Sequence, residues 1–230
     1  MTLTKYGIKE WLGTGIIAFI IIMISVALAG IFSLYFFYII AFIVFIIWVA
    51  IAAFFRSPIR IIPENSELLI SPADGLVKDI EVLDDCDYSS YFDNKPVLRI
   101  GIFLSVLNVH LNRAPCDLKV IDIIYKKGKY YDARDDRAGK ENESNIIIGE
   151  ANAANISFPI GIRQVSGAIA RRIVCATQIS DSLKKGEKYG MIKFGSRTEV
   201  YLPYNDEIKI SVNVGDKITA GTSIIAEIVK

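Results

Sequence analysis

Residues 190–203 read GMIKFGSRTEVYLP, and the rest of the chain is best read outward from them. Apolar and polar residues alternate on either side of Gly195-Ser196, so two short strands should meet at a small-residue break. On its own, a Gly-Ser pair between strands is most often a bulge or a turn. Two other segments change that weighting. Residues 71–75 read SPADG, and residues 103–115 read FLSVLNVHLNRAP and hold the only histidine, His110. A carboxylate (Asp74), a histidine (His110) and a serine (Ser196) are the parts needed to activate a hydroxyl nucleophile.

Around these segments, strand-like runs recur at 68–70, 76–82, 97–103, 118–125, 145–149, 156–165, 189–194, 198–202, 207–212 and 223–229. Turn signals such as Ala73-Asp74-Gly75 and Val214-Gly215-Asp216 separate them. A short helical turn is expected around 168–176. The expectation is a β-rich α+β soluble domain over 61–230, sandwich-like. The segments SPADGLVKDIEVL and VNVGDKITAGTSIIAEI resemble the strands of biotinyl- and lipoyl-type sandwich domains, although each also reads as a plain strand-turn-strand unit.

The first 60 residues are different. From Trp11 to Phe55 no Asp, Glu, Lys, Arg or His occurs. As one helix this block would run roughly 65 Å, about twice a bilayer core, so it reads as a two-helix membrane hairpin broken near 30–33. Lys5 and Lys9 precede it and Arg56 and Arg60 follow it, which places both flanks on the cytoplasmic side of the cell membrane. A hairpin lying within one leaflet fits the same sequence. From Arg56 onward 24 basic and 24 acidic residues balance, giving no basic stripe for nucleic acid. Cys86, Cys116 and Cys175 lack metal-site spacing and are odd in number, so they read as reduced thiols.

Taken together, GMIKFGSRTEVYLP, SPADG, FLSVLNVHLNRAP, FFRSPIRIIP at 54–63, SGAIARRIVC at 166–175 and DARDDRAGKENES at 132–144 resemble the phosphatidylserine decarboxylase family in its short proenzyme form. The segments stand in the family's order and span almost the whole soluble part. One position departs: Ser144 follows Asn142 and Glu143 where the family often has arginine.

The resemblance implies a chemistry. Loss of carbon dioxide from an α-amino acid leaves electrons that no ordinary side chain accepts, so an electrophilic carbonyl is needed. The family makes one from its own chain, as a pyruvoyl group derived from Ser196. Scission between Gly195 and Ser196 would leave chains 1–195 and 196–230, held as a heterodimer. The resemblance makes Ser196 the nucleophile, His110 the general base and acid, and Asp74 the group that orients His110. Asn112 and Arg113 either hold the loop around His110 or contact the headgroup, Arg171 and Arg172 are candidates for headgroup contact, and the 132–144 loop for a lid. No metal is called for. The implied partners are a phospholipid, diacyl or archaeal ether-linked, and the membrane; assembly into homo-oligomers is left open. Two rivals stand beside this reading. One is a non-enzymatic membrane-fusion adaptor with a split biotinyl/lipoyl-like sandwich, against which the chain lacks the long heptad hairpin of such adaptors. The other is an anchored family member that is never processed.

Overall fold

The computed structural model describes residues 2–135, 137–168, 172–193 and 195–229. The chain forms two compact units, Met1–Ile59 and Arg60–Lys230.

In the first unit, Ile8–Phe32 (α1) and Phe36–Phe54 (α2) are helices joined at Ser33, which takes a left-handed conformation with φ of 52°. The turn falls at 33–35, so α1 runs on through Gly30, as a Gly with helical neighbours can. At the open end Thr2–Leu3 (β1) pairs antiparallel with Arg56–Ser57 (β2), and Trp11 of α1 stacks on Trp48 of α2 at 5.8 Å. Both helices are apolar all round and mostly uncovered, with mean hydropathy of 2.8 and 2.9. Each is long and apolar enough to cross a membrane.

The second unit is built on an antiparallel sheet. Its strands are Leu68–Ile70 (β3), Gly75–Leu83 (β4), Val97–Leu104 (β5), Leu111–Arg113 (β6), Asp117–Lys126 (β7), Ser144–Ala153 (β8), Ile156–Val165 (β9) and Arg172–Cys175 (β10). Ser182–Leu183 (β11), Lys188–Lys193 (β12), Ser196–Pro203 (β13), Ile208–Ile210 (β14), Lys217–Ile218 (β15) and Ile224–Ile228 (β16) complete it. Eight strands form one sheet in the order β11-β7-β8-β9-β13-β5-β4-β15. Two three-stranded sheets, β10-β12-β6 and β14-β16-β3, complete the strand pairing described.

The period of two along each strand sorts side chains between two apolar clusters. On β8, Ile147 joins Ile100, Ile102, Ile160, Ile162, Val200 and Leu202 in the main core. Its neighbours Ile146 and Ile148 face a smaller cluster with Tyr88, Phe92, Val97 and Tyr201. A sheet covered on both faces explains why β8 reads as an unbroken apolar run.

The strands flanking Gly195-Ser196 do meet at that break, but in different sheets: β12 lies between β10 and β6, whereas β13 lies in the middle of the large sheet. One expectation changes. The expected helical turn around 168–176 is, over its described end, strand β10, because Arg172, Ile173, Val174 and Cys175 pair with Lys193, Ile192, Met191 and Gly190. The β-branched run Ile173-Val174 suits a strand better than a helix. The fold is β-rich, as expected. The segments at 71–83 and 212–228 do pair with each other, through β15 on β4.

Candidate functional site

Gly195 carries the chain from the small sheet into the large one. Its φ of 58° is the left-handed conformation that glycine alone adopts at little cost, and a Cβ built there would meet nothing within 4 Å beyond its chain neighbours. Ser196 then opens β13, opposite Leu104 of β5. Alternation along β13 puts Ser196 on the same face as Thr198, Val200 and Leu202, towards the interior. Ser196 is fully buried, and its Oγ has no hydrogen-bond partner among the described residues. A buried hydroxyl left unsatisfied costs about 1–3 kcal/mol, so natural proteins seldom keep one without a use for it.

His110 reaches the same junction from the other side. It precedes β6 and is fully buried. Gly195 donates its N–H to His110 Nε2 at 3.2 Å, and His110 Nδ1 lies 3.0 Å from the carbonyl oxygen of Asn108. An Nε2 that accepts and an Nδ1 that donates define the neutral Nδ1–H tautomer, with the Nε2 lone pair turned towards the Gly195 N–H.

Asp74 was expected to fix that tautomer, and it does not touch His110. Its Oδ2 accepts from the Arg60 guanidinium at 2.8 Å and its Oδ1 from the Ala220 N–H at 2.8 Å. The Asn108 carbonyl does the orienting instead, a contact no side-chain motif announces. Arg60 also donates to the Ala220 carbonyl at 2.9 Å, so the ion pair ties the SPADG turn to the β15–β16 connection.

The four headgroup candidates separate. Asn112 is buried inside the fold: its Nδ2 donates to Thr198 Oγ1 at 3.0 Å and its Oδ1 accepts from Gln164 Nε2 at 2.9 Å. This amide bridge links β6, β13 and β9, of the two roles open to Asn112 the structural one. Arg113 is also buried and donates to the Gly186 carbonyl at 2.8 Å. Burial, and then Arg60, push its pKa below the usual arginine value, with Asp74 partly offsetting them. Arg172 is exposed on β10, and Arg171 lies outside the described residues.

The opposite face of β13 carries a feature that no motif in the sequence indicates. Arg197, Glu199 and Tyr201 recur at every second residue and point away from Ser196. Arg197 donates to both oxygens of Asp79 (2.6 and 2.7 Å) and to Glu199 (2.7 Å). Arg163 donates to Glu199 at 3.0 Å, as does the Tyr201 hydroxyl at 2.7 Å. Burial alone would raise the pKa of Glu199, but Arg163 and Arg197 more than offset it and hold the carboxyl below its usual range. Gly101 makes room for this chain of charges, since a Cβ there would lie 2.1 Å from Arg197 and 2.5 Å from Asp79. The Ser144 hydroxyl accepts from Arg163 at 3.0 Å, so a guanidinium from β9 reaches Ser144.

A cavity of about 300 Å³ opens at this junction, lined by Phe103, Ser105, Val106, Asp132, Arg134 and Gly195 among others. The 132–144 loop forms one wall. Its far end is pinned: buried Asn142 donates to the carbonyls of Tyr131 and Ser166, and its Oδ1 accepts from the Tyr131 N–H. Its exposed charges pair locally, Arg134 with Asp132 and Arg137 with Asp135.

Gly195 joins these parts, since it precedes the buried Ser196, meets His110 Nε2 and lines the cavity, and such a grouping is the kind an enzyme uses. The family description "Phosphatidylserine decarboxylase" matches residues 49–226. The chain is 43% identical over 177 residues to the phosphatidylserine decarboxylase proenzyme of Wolbachia sp. subsp. Brugia malayi, covering 77% of this chain and 75% of that protein. The corresponding proenzyme of Geotalea uraniireducens is 44% identical over 172 residues, 75% and 76% of the two chains. The chain therefore belongs to the phosphatidylserine decarboxylase family.

Proposed function

We propose that the protein is a membrane-anchored decarboxylase that converts a serine phospholipid to the ethanolamine phospholipid with release of carbon dioxide, after cutting its own chain at Gly195-Ser196. The observation that carries this reading is the buried, unpartnered Ser196 Oγ next to a left-handed glycine whose N–H rests on His110 Nε2. Family membership supports the substrate and the reaction.

In the first step His110 takes the hydroxyl proton and Ser196 Oγ attacks the Gly195 carbonyl carbon. The peptide C–N bond breaks as the C–O bond forms, leaving an ester and a free amine at residue 196. Loss of the Ser196 α-proton then expels the Gly195 carboxylate and leaves a dehydroalanine. Water converts that residue to a pyruvoyl group and ammonia is released. The site fits such a group, since position 196 is buried and its neighbour Gly195 lines a cavity. Once formed, it supplies the electrophilic carbonyl that accepts the electrons left when carbon dioxide departs. His110, at the same junction, is the group to return a proton to the substrate α-carbon. Asp74 acts on this site at one remove, by holding the SPADG turn through Arg60. The cavity takes a serine headgroup, so diacyl and ether-linked lipids are alike to it. The anchor is read as a spanning hairpin with the catalytic unit on the cytoplasmic face of the cell membrane, and the fragments 1–195 and 196–230 as remaining together.

Intact-mass measurement of the purified protein tests this. Two chains are expected, the smaller starting at residue 196 with a carbonyl that reacts with hydroxylamine. A lone species at 25.6 kDa, or a small fragment with a free amine, would remove the proposal. Gly195→Ala should slow the scission by roughly tenfold, because a side chain at that φ costs about 1–2 kcal/mol and drives the backbone out of its attack geometry. The ratio of cut to uncut chain on a denaturing gel, followed in time, measures it.

A further inference from the structure

Between β5 and His110 the chain makes a tight turn at 105–108. Ser105 donates to Asn108 Oδ1 from its N–H (2.8 Å) and its hydroxyl (2.7 Å), and the Asn108 N–H donates to the Ser105 carbonyl at 2.9 Å. This closed set of bonds presents Val106 and Leu107 at the tip. Leu107 is 84% exposed and Val106 42%, whereas Val109 and His110 immediately after them are buried.

Single exposed apolar residues are ordinary on a protein surface. This pair is placed differently in two respects. Val106 lines the cavity that reaches Gly195, so the apolar tip is part of the rim of the candidate site. The same cavity is also lined by the ion-paired Asp132 and Arg134, so apolar and charged groups share its lining. A rim with that division matches the boundary between acyl chains and headgroups, where apolar side chains enter the bilayer and guanidinium groups stay in the polar layer.

We propose that Val106 and Leu107 insert into the surface of a phospholipid bilayer and seat the cavity mouth on the headgroup layer. The proposal deepens, and rests on, the reading of the substrate as a phospholipid. A lipid with two acyl chains need not then leave the bilayer for its headgroup to reach residue 196. Because the Asn108 carbonyl ends the same turn and holds His110, seating the tip also fixes the histidine in relation to the membrane.

The test uses the full chain in phosphatidylserine-containing vesicles, with Leu107→Asp as the variant. Turnover of bilayer lipid should fall about tenfold or more, the effect of removing one leucine from an apolar phase. Turnover of a short-chain, water-dispersed phosphatidylserine should stay at the wild-type rate, as should scission at Ser196. Equal losses on both substrates would mean that the turn serves only the site's internal shape, and equal rates on both would mean that it touches no bilayer; either overturns the proposal. A second readout does not depend on activity. Leu107→Trp, with Trp11 and Trp48 replaced by phenylalanine, should be quenched by vesicles of brominated lipid, and absence of quenching counts against insertion. Quenching in a protein whose wild type leaves phosphatidylserine unchanged would sink the catalytic reading and keep the membrane contact.

Discussion

Ser196→Ala protein should remain one unbroken chain of 25.6 kDa and release no carbon dioxide from phosphatidylserine, yet be at least as stable as the wild type. The substitution deletes one atom, Oγ, which is buried and makes no hydrogen bond among the described residues. Its loss strands no partner and removes a desolvation penalty of about 1–3 kcal/mol. Chemistry and stability should therefore move in opposite directions, the signature of a group kept for reactivity. A serine kept for packing would lose stability and leave scission intact. His110→Asn should follow part of the way, slowing scission by roughly 10²–10⁴-fold, the usual weight of a general base. Thermal unfolding run beside intact-mass analysis reads both effects. A Ser196→Ala protein that still splits would refute the assignment.

The second large effect lies on the other face of β13. Glu199→Gln removes the carboxylate that Arg163, Arg197 and Tyr201 share, leaving two buried guanidinium groups with Asp79 as the remaining acid of the chain. Breaking a buried ion pair from one side costs about 3–5 kcal/mol. For a unit of this size that lowers the unfolding midpoint by about 10 °C. The pH dependence has a definite sign. Glu199 and Asp79 both have folded-state pKa values below their usual range. Their stabilisation is complete above the unfolded carboxylate pKa, near pH 4, and is lost as pH falls through the depressed folded values. Wild-type urea midpoints should therefore drop steeply below about pH 4, and the Glu199→Gln midpoint should drop less. Parallel curves would show that the buried charge chain carries no such linkage.

Particular residues show what could be seen in advance. The uncharged block from Trp11 to Phe55 announces its two helices because nothing but apolar side chains occupies it. Strands such as 156–165 stand out because their side chains meet one environment per face. His110 and Ser196 were found as residue types in suggestive company. The contacts that set their chemistry were not: Asn108 acts through a backbone carbonyl, and every residue has one of those. Residue type suggests a role for Asp74, and its partner, Arg60, lies in a segment, FFRSPIRIIP, whose residues do not reveal that pairing. The buried charges did leave a trace. Arg197, Glu199 and Tyr201 alternate along a strand, and alternate ionisable residues ordinarily indicate a solvated face. Only the cover of Tyr88 and Phe92 on that side makes the face an interior one.

The position of β13 bears on what happens to the protein after it is cut. Eight of its residues are matched to β5 and five to β9, so the proposed break falls at the edge of a segment clamped between two neighbours. The severed piece has no route out short of unravelling the sheet. Recovery from denaturant should then differ before and after the cut. Uncut protein would regain its shape at any dilution, as a first-order process. Cut protein would have to find its own missing piece by collision, and its yield would fall as it is diluted. Maturation would thus turn a reversible fold into one that is made once.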